Sequence, residues 1–339
     1  MRLLVCGGAG FIGSNFVRVR LGSSDDEIVV LDKLTYAGRR ENLRDVEDDA
    51  RFAFRHGAIE DAAAVAASLE PPAGAGGIDA IVNFAAETHV DRSISEPDAF
   101  VRTHALGTFV LLEAARERGL RYVQVSTDEV YGSILEGSFD ESSPLAPSSP
   151  YSATKAGADL LVSSYHTTFG LEALVCRGSN NYGPHQHPEK LIPLMVLNAL
   201  AGDRLPVYGD GLNVRNWLYV EDFASAIGTA LDRGVAGEVY NVGGPDECAN
   251  IAVVRRILEL CGRDESLIEH VADRPGHDRR YSLRSDKIGA LGWAAATGFG
   301  AGLERTVSWY RDNPWWWEPI RSGAYRDYYL RQYGRELGR

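Results

Sequence analysis

The sequence predicts an α/β protein, a doubly wound parallel sheet with a smaller, interleaved C-terminal cap. Three observations carry this reading. Short apolar runs alternate with helical patterns through the first half of the chain, as they do where parallel strands are buried between helices. A glycine-rich turn stands between the first strand and the first helix. From about Gly178 the alternation loosens: Gly, Pro and Asn become frequent, and Trp and Arg appear at irregular spacing.

The elements follow in order. Leu3-Leu4-Val5-Cys6 is the first strand and Phe11 to Leu21 the first helix. Ile28-Val29-Val30-Leu31 is the next strand, Phe52-Ala53-Phe54 the third, and Ala62 to Leu69 an Ala-rich helix. Pro71 to Gly77 is a surface loop with no chemistry. Ala80 to Phe84 is the fourth strand, Phe100 to Arg118 a long helix, and Tyr122 to Val125 the fifth strand. Glu238 to Val242 reads as a late strand returning to the main sheet. The expected division is 1–178 as a Rossmann-type dinucleotide-binding domain, rejoined by 215–243, with 179–214 and 244–330 as a substrate-binding cap. Such a cap covers the C-terminal edge of the sheet, where ligands bind in these folds.

The 339 residues are 45% hydrophobic and 24% charged, an ordinary globular composition. A net charge of −12 argues against a general nucleic-acid or membrane-surface binder, although a few local cations can still hold an anionic substrate. Cys6, Cys176, Cys248 and Cys261 are far apart and form no CxxC pair. They suggest neither a metal site nor a disulfide framework, and reduced cytoplasmic thiols are expected. Met1-Arg2 leads straight into the first strand rather than into a secretory apolar region, and no apolar run reaches the length of a membrane span.

Gly7, Gly10 and Gly13 recur every third residue in Gly7-Gly8-Ala9-Gly10-Phe11-Ile12-Gly13. Such a turn lets the backbone approach a pyrophosphate, and the helix N-terminus behind it offers free N–H groups. Asp32 ends the second strand about twenty residues on, where a carboxylate hydrogen-bonds ribose hydroxyls and repels a 2′-phosphate. NAD is therefore expected over NADP, with the adjacent Lys33 as a mild counter-signal. Asn83-Phe84-Ala85-Ala86 closes the fourth strand with side chains small enough for a cofactor to lie close.

The fifth strand ends in Ser126-Thr127-Asp128-Glu129. Two adjacent carboxylates at a strand end repel each other and must be desolvated together, a setting that raises one of their pKa values. Downstream, Tyr151 and Lys155 are four apart, on one face of a helix. A phenol titrates near 10 in water, and a neighbouring ammonium makes it a usable base. Hydride transfer with a separate acid and base is the equipment of a redox-assisted elimination.

With these motifs the chain resembles the extended short-chain dehydrogenase/reductase family, and within it the dTDP-glucose 4,6-dehydratases, from Arg2 to about Tyr333. The matching segments are GGAGFIG at 7–13, LDKLTYAG at 31–38, AAETHVDRSI at 85–94, STDEVYG at 126–132 and YSATKAGAD at 151–159. Further on come SNNYGPHQHPEKLIP at 179–193, GDGLNVRNWLYVED at 209–222 and RPGHDRRY at 274–281. The Thr-Asp-Glu triplet is the specific part, since the related 4-epimerases and decarboxylases lack the Asp-Glu pair. The resemblance implies that Tyr151, supported by Lys155, takes the 4-hydroxyl proton while NAD accepts the C4 hydride. Thr127 hydrogen-bonds the C4 oxygen, Glu129 removes the C5 proton, and Asp128 protonates the departing C6 hydroxyl. It adds Leu34, Thr35, Ile59 and Asn180 to the cofactor contacts. It gives the substrate Thr88, His89, Asn181, Lys190, Leu191, Arg215, Asn250, Arg274 and His277, with Arg forks suited to a diphosphate. For His89, helix capping or core packing explains it almost as well as substrate contact. The substrate expected is dTDP-glucose, and no metal is expected. Competing readings are a 4-epimerase or decarboxylase of the same fold, or a non-catalytic NAD-binding protein.

Five residues depart from the family pattern. Cys6 replaces Thr. Ala58 replaces an Asp at the adenine, a hydrogen bond worth about 1 kcal/mol. His104 replaces the Asn that organises the proton relay. Gly178 stands where a larger residue is common. His187 replaces Phe in the nucleotide loop, where it bears on base recognition. The helices Phe100 to Arg118 and Tyr151 to Phe169 carry apolar residues on more than one face, among them Leu106, Phe109, Val110, Leu112, Leu160, Leu161 and Val162. A homodimer through a four-helix interface is expected.

Overall fold

The computed structural model describes residues 1–70, 76–273 and 277–322, with Tyr325, Tyr329 and Leu330. Most of the predicted loop at 71–77 therefore lies outside the described residues. Seven parallel strands form the main sheet: β1 (Arg2–Cys6), β2 (Glu27–Asp32), β3 (Phe52–His56), β4 (Ala80–Asn83), β5 (Arg121–Thr127), β6 (Ala173–Gly178) and, after a long excursion, β10 (Val239–Val242). Their order is β10-β6-β5-β4-β1-β2-β3. The order reverses between β1 and β4, which is where a doubly wound sheet opens a ligand crevice.

Alternation along the strands sorts the core. Leu3, Val5, Ile28, Val30, Val82 and Val125 pack on one face against the helices Phe11–Ser23 and Val220–Arg233. Leu4, Cys6, Val29, Leu31 and Ile81 pack on the other with Leu111, Leu112 and Val162, from the helices Thr108–Arg118 and Pro150–Phe169. Both faces are covered, so the strands read as continuous apolar runs.

The cap has its own core of Tyr182, Ile192, Val196, Trp217, Val254 and Tyr310. It holds a three-stranded sheet of β7 (Asn180–Tyr182), β9 (Val214–Tyr219) and β11 (Asp246–Ala249), and a pair of β8 (Leu205–Tyr208) with β12 (Ile268–Val271). This moves the expected return point. Arg215–Tyr219 pairs with β7 and β11, not with the large sheet, and the chain rejoins the first domain with the helix Val220–Arg233. The reason is legible afterwards: Trp217 and Tyr219 belong to the cap core, Leu218 to the sheet core.

Gly178 is explained by packing, because a Cβ there would lie 2.4 Å from the Phe223 ring. The long helix at 100–118 is not uniform; Val101–Gly107 is wound as a π-helix before the α-helix begins at Thr108. Among the described residues no helix is long and apolar enough to cross a membrane.

Candidate active site

Two adjoining clefts open at the C-terminal edge of the sheet. The first, about 1110 Å³, runs from Asp32 past Gly7, Gly10 and Gly13 to Tyr151 and Lys155. Gly7 needs its glycine twice over: its φ is +73°, and a Cβ would lie 2.5 Å from the Ala85 backbone nitrogen. A Cβ on Gly13 would sit 2.3 Å from the Gly7 carbonyl oxygen, so the helix Phe11–Ser23 starts directly under the turn. Asp32 accepts from the Ala9 N–H at 2.9 Å and the Leu34 N–H at 2.8 Å. Burial pushes its carboxyl above the usual range, against those two bonds.

Of the expected cofactor contacts, Phe11, Ile12, Lys33, Thr35, Ile59, Phe84, Ala85 and Ala86 also line this cleft. Two do not. Leu34 turns to Asp32 with its backbone, at a φ of +52°, and Asn180 lines the second cleft. Thr88, expected at the substrate, lines the first. So does His187, whose ring meets Tyr36 edge-on at 5.3 Å. Lys33 is held at 2.9 Å by Glu87 and at 2.9 Å by the Thr103 hydroxyl. These bonds turn it away from the role of a phosphate-seeking cation, which removes the counter-signal to NAD.

The groups expected to be catalytic come together from two elements. The helix Pro150–Phe169 begins with Pro150 and a reciprocal cap between Ser149 and Ser152, which fixes its start and places Tyr151 and Lys155 in the first cleft. The Lys155 ammonium donates to the Val125 carbonyl at 2.7 Å; burial pushes its pKa down to about 8, with Asp159 working against the fall. Burial, then the charge of Glu129, raises the Tyr151 phenol well above its ordinary value, while a hydrogen bond with Thr127 lowers it. In the protein alone the phenol is thus protonated at neutral pH, and the Lys155 ammonium does not by itself make it a phenolate.

β5 ends in a tight turn, Asp128–Tyr131. Thr127 Oγ1 accepts from the Glu129 N–H at 3.3 Å and donates to Asp128 Oδ1 at 3.2 Å. Asp128 is 1% exposed, and its Oδ2 has no hydrogen-bond partner. Burial first, and Glu129 second, push its carboxyl up to about 8, although Arg215 pulls the other way. A carboxylic acid near neutral pH is what a proton donor to a leaving hydroxyl requires. Asp128 lines neither cleft, whereas the half-buried Glu129 opens into the second.

This gives a stability prediction. The Asp128 carboxyl titrates at about 8 in the folded chain against 3.8 ordinarily. Between those values the folded chain keeps a proton that the unfolded chain has lost, so stability falls as pH rises through the window and is level above it. Asp128→Asn is therefore expected to raise the melting temperature more at about pH 8 than at about pH 5. An equal gain at both pH values would contradict a raised carboxyl.

The second cleft, about 900 Å³, is lined by His89, Glu129, Lys190, Leu191, Arg215, Asn250 and His277. Lys190 lines both clefts, so they meet there. Arg215 stacks over Tyr281 at 4.6 Å. His89 precedes the helix Val90–Ser95 without capping it. Burial pushes its pKa down to about 4, so it is neutral at pH 7. Asn181 lines neither cleft; its amide donates to the Ser179 carbonyl at 3.0 Å. Arg274 lies outside the described residues. Sequence reasoning missed Tyr208, Trp217 and Tyr281 in this cleft and Ser126 and Gln186 in the first. Trp217 and Tyr281 stood inside segments already matched, and only the polar residues there had been weighed.

His104 is buried beside Tyr151, ring edge to ring at 5.8 Å. Its Nδ1 is 2.8 Å from the Thr154 hydroxyl and its Nε2 3.1 Å from the Glu87 backbone. Burial, then the Lys155 charge, holds it well below the ordinary His range, so it is a neutral bridge between the catalytic helix and the loop after β4. Among the described residues no group of His, Cys, Asp and Glu could hold a metal ion.

The chain matches the GDP-mannose 4,6 dehydratase family model over residues 4–306. It is 53% identical over 329 residues to a dTDP-glucose 4,6-dehydratase of Streptomyces niveus, covering 95% of this chain and 96% of that one. The chain belongs to the sugar-nucleotide 4,6-dehydratase family. A dTDP-glucose 4,6-dehydratase of Escherichia coli is 47% identical over 99% of this chain and all of its own. The dTDP-glucose 4,6-dehydratase of Streptomyces venezuelae, solved with NAD bound, superposes with a TM-score of 0.91 at 52% identity, covering 94% of this chain and 100% of that one. In this chain Tyr151 lines the first cleft and Glu129 the second, and Lys190 lines both.

Proposed function

We propose that this chain converts dTDP-glucose into dTDP-4-keto-6-deoxyglucose, as a hydro-lyase that keeps NAD bound. The observation that carries the reading is the pairing of a buried, raised Asp128 with a cleft-facing Glu129, linked to Tyr151 by two hydrogen bonds through Thr127. The first cleft fits NAD: Asp32 stands at the ribose end, the Gly7–Gly13 turn at the pyrophosphate, and Lys155 and Tyr151 at the far end. Bound there, NAD supplies the acceptor for the C4 hydride, the donor that returns it to C6, and a positive ring that favours the Tyr151 phenolate.

The residues of the chain do the rest. Tyr151 takes the proton of the 4-hydroxyl, and the Thr127 hydroxyl orients the same oxygen. The C4 ketone acidifies C5, and Glu129 removes that proton. Asp128 gives its proton to the C6 hydroxyl, which leaves as water. A proton then returns to C5. Lys190 and Arg215 supply cationic charge for the diphosphate, and Asn250, Leu191 and His277 complete the nucleotide end. A mass-spectrometric panel of thymidine and uridine diphosphate sugars, with glucose and N-acetyl hexoses, tests the substrate. Water loss from dTDP-glucose alone supports the reading, and preference for another sugar nucleotide overturns its substrate.

A homodimer is part of the reading. Leu112 and Val162 are buried within the chain, but Val101, Leu106, Phe109 and Leu160 are 51%, 44%, 44% and 60% exposed. They lie on the two helical segments expected to pair about a two-fold axis, and such an apolar surface needs cover. Leu160→Glu is expected to halve the mass in light scattering at micromolar concentration. A wild type already of monomer mass would contradict the dimer. Four free thiols, with Cys6 and Cys176 buried, fit a reducing cytoplasm.

A further inference from the structure

The turn that would cradle the pyrophosphate is gripped from behind. Ala9 is the hub. Its N–H donates to Asp32 Oδ2 at 2.9 Å. Its carbonyl accepts from Asn42 Nδ2 at 2.8 Å and from the Arg39 N–H at 3.0 Å. Asn42 Oδ1 in turn accepts from Trp316 Nε1 at 2.7 Å, and Arg39 Nη1 donates to the Trp316 carbonyl at 2.9 Å. Asn42 and Trp316 are 0% and 1% exposed. A buried hydrogen-bonded chain thus runs from Trp316 through Asn42 and Ala9 to the Asp32 carboxylate. Trp316 lies beyond the residues that the family model matches. Its ring is wedged between Trp309 at 5.0 Å and His185 at 5.6 Å.

We infer that Trp316 is a positioning residue for the cofactor turn and sets how tightly and how long NAD is held. The inference rests on the NAD reading above. An indole N–H is a donor only. It forces the Asn42 amide to present oxygen outward and nitrogen to Ala9, so the amide cannot flip without leaving two buried groups unpaired. Without that donor, Asn42 Oδ1 is left unpaired in the interior, which is costly. The strain is relieved by moving Asn42, which leaves the Ala9 carbonyl with the Arg39 N–H as its remaining partner. Ala9 then has one anchor fewer behind it, its N–H, on the peptide before that carbonyl, is aimed less firmly at Asp32, and the turn holds less firmly the shape that receives a pyrophosphate. The sugar-nucleotide cleft shares none of these four residues, so its affinity should be untouched.

Trp316→Phe keeps a ring in the pocket and removes only the donor. On protein stripped of NAD, calorimetry is expected to show NAD binding about tenfold weaker, and stopped-flow a correspondingly faster release. The KM for dTDP-glucose at saturating NAD should stay within about twofold. Asn42→Ala tests the link from the other end and should weaken NAD at least as much. The double variant should be no worse than Asn42→Ala alone, because both remove one chain. Trp315→Phe, in an exposed ring that packs beside Arg44 at 5.1 Å, controls for loosening of the segment. NAD affinity unchanged in Trp316→Phe, or equally weakened in Trp315→Phe, overturns the inference, as does an equal loss of NAD and sugar-nucleotide affinity. A wild type with no affinity for NAD overturns the cofactor reading itself.

Discussion

Tyr151→Phe is expected to lower turnover of dTDP-glucose by about 10²–10⁴-fold, the usual cost of removing a positioned general base. The exchange removes one oxygen and leaves the ring, whose edges meet Phe100 at 6.3 Å and His104 at 5.8 Å. Folding and sugar-nucleotide binding should therefore survive. What is lost is the phenol that meets the Thr127 hydroxyl and shares the cleft with Lys155. The block should fall at the first step, so substrate labelled with deuterium at C4 should be recovered with its label in place. Near-normal turnover in the Phe variant would remove Tyr151 from the mechanism.

Glu129→Gln is expected to cost a similar factor, about 10²–10⁴-fold, but at a later step. The amide keeps the size of the side chain and cannot take a proton. The C4 oxidation can still proceed, because Tyr151 and Thr127 are intact. Elimination cannot, so product should be missing and C5 should not exchange with solvent deuterium. The exchange also removes the negative charge that helps raise Asp128 and Tyr151, which makes the first step easier, not harder. C5 exchange at the wild-type rate would show that another group is the base. Together the two variants separate the oxidation from the elimination.

Much of this site was legible in the sequence because its chemistry is local. Gly7 to Gly13, the Asp32 strand end, Thr127-Asp128-Glu129 and the helical pair Tyr151 and Lys155 each sit within one turn or one strand end, so residue spacing fixes their geometry. The buried strands were legible for the same reason: a strand covered on both faces reads as an apolar run. What escaped depends on the tertiary fold. Residues 215–243 were expected to rejoin the first domain together, yet Arg215–Tyr219 pairs with β7 and β11. Asn180 and Thr88 exchanged clefts because no spacing rule separates the two sides; the Thr88 carbonyl accepts from Lys190, which lines both. His187 lines the first cleft beside Tyr36, a residue far away in sequence. The partner of Asn42 is Trp316, which no local pattern could supply.

The most direct test of the central claim follows one hydrogen. Purified protein is given dTDP-glucose carrying deuterium at C4, and the product is read by mass spectrometry and NMR. A redox-assisted dehydration by Tyr151, Glu129 and Asp128 predicts a product lighter by one water, with all its carbons, a C4 ketone, and the deuterium moved to C6. A product of unchanged mass, a loss of carbon dioxide, or a 6-deoxy product with solvent hydrogen in place of the label at C6 would contradict it.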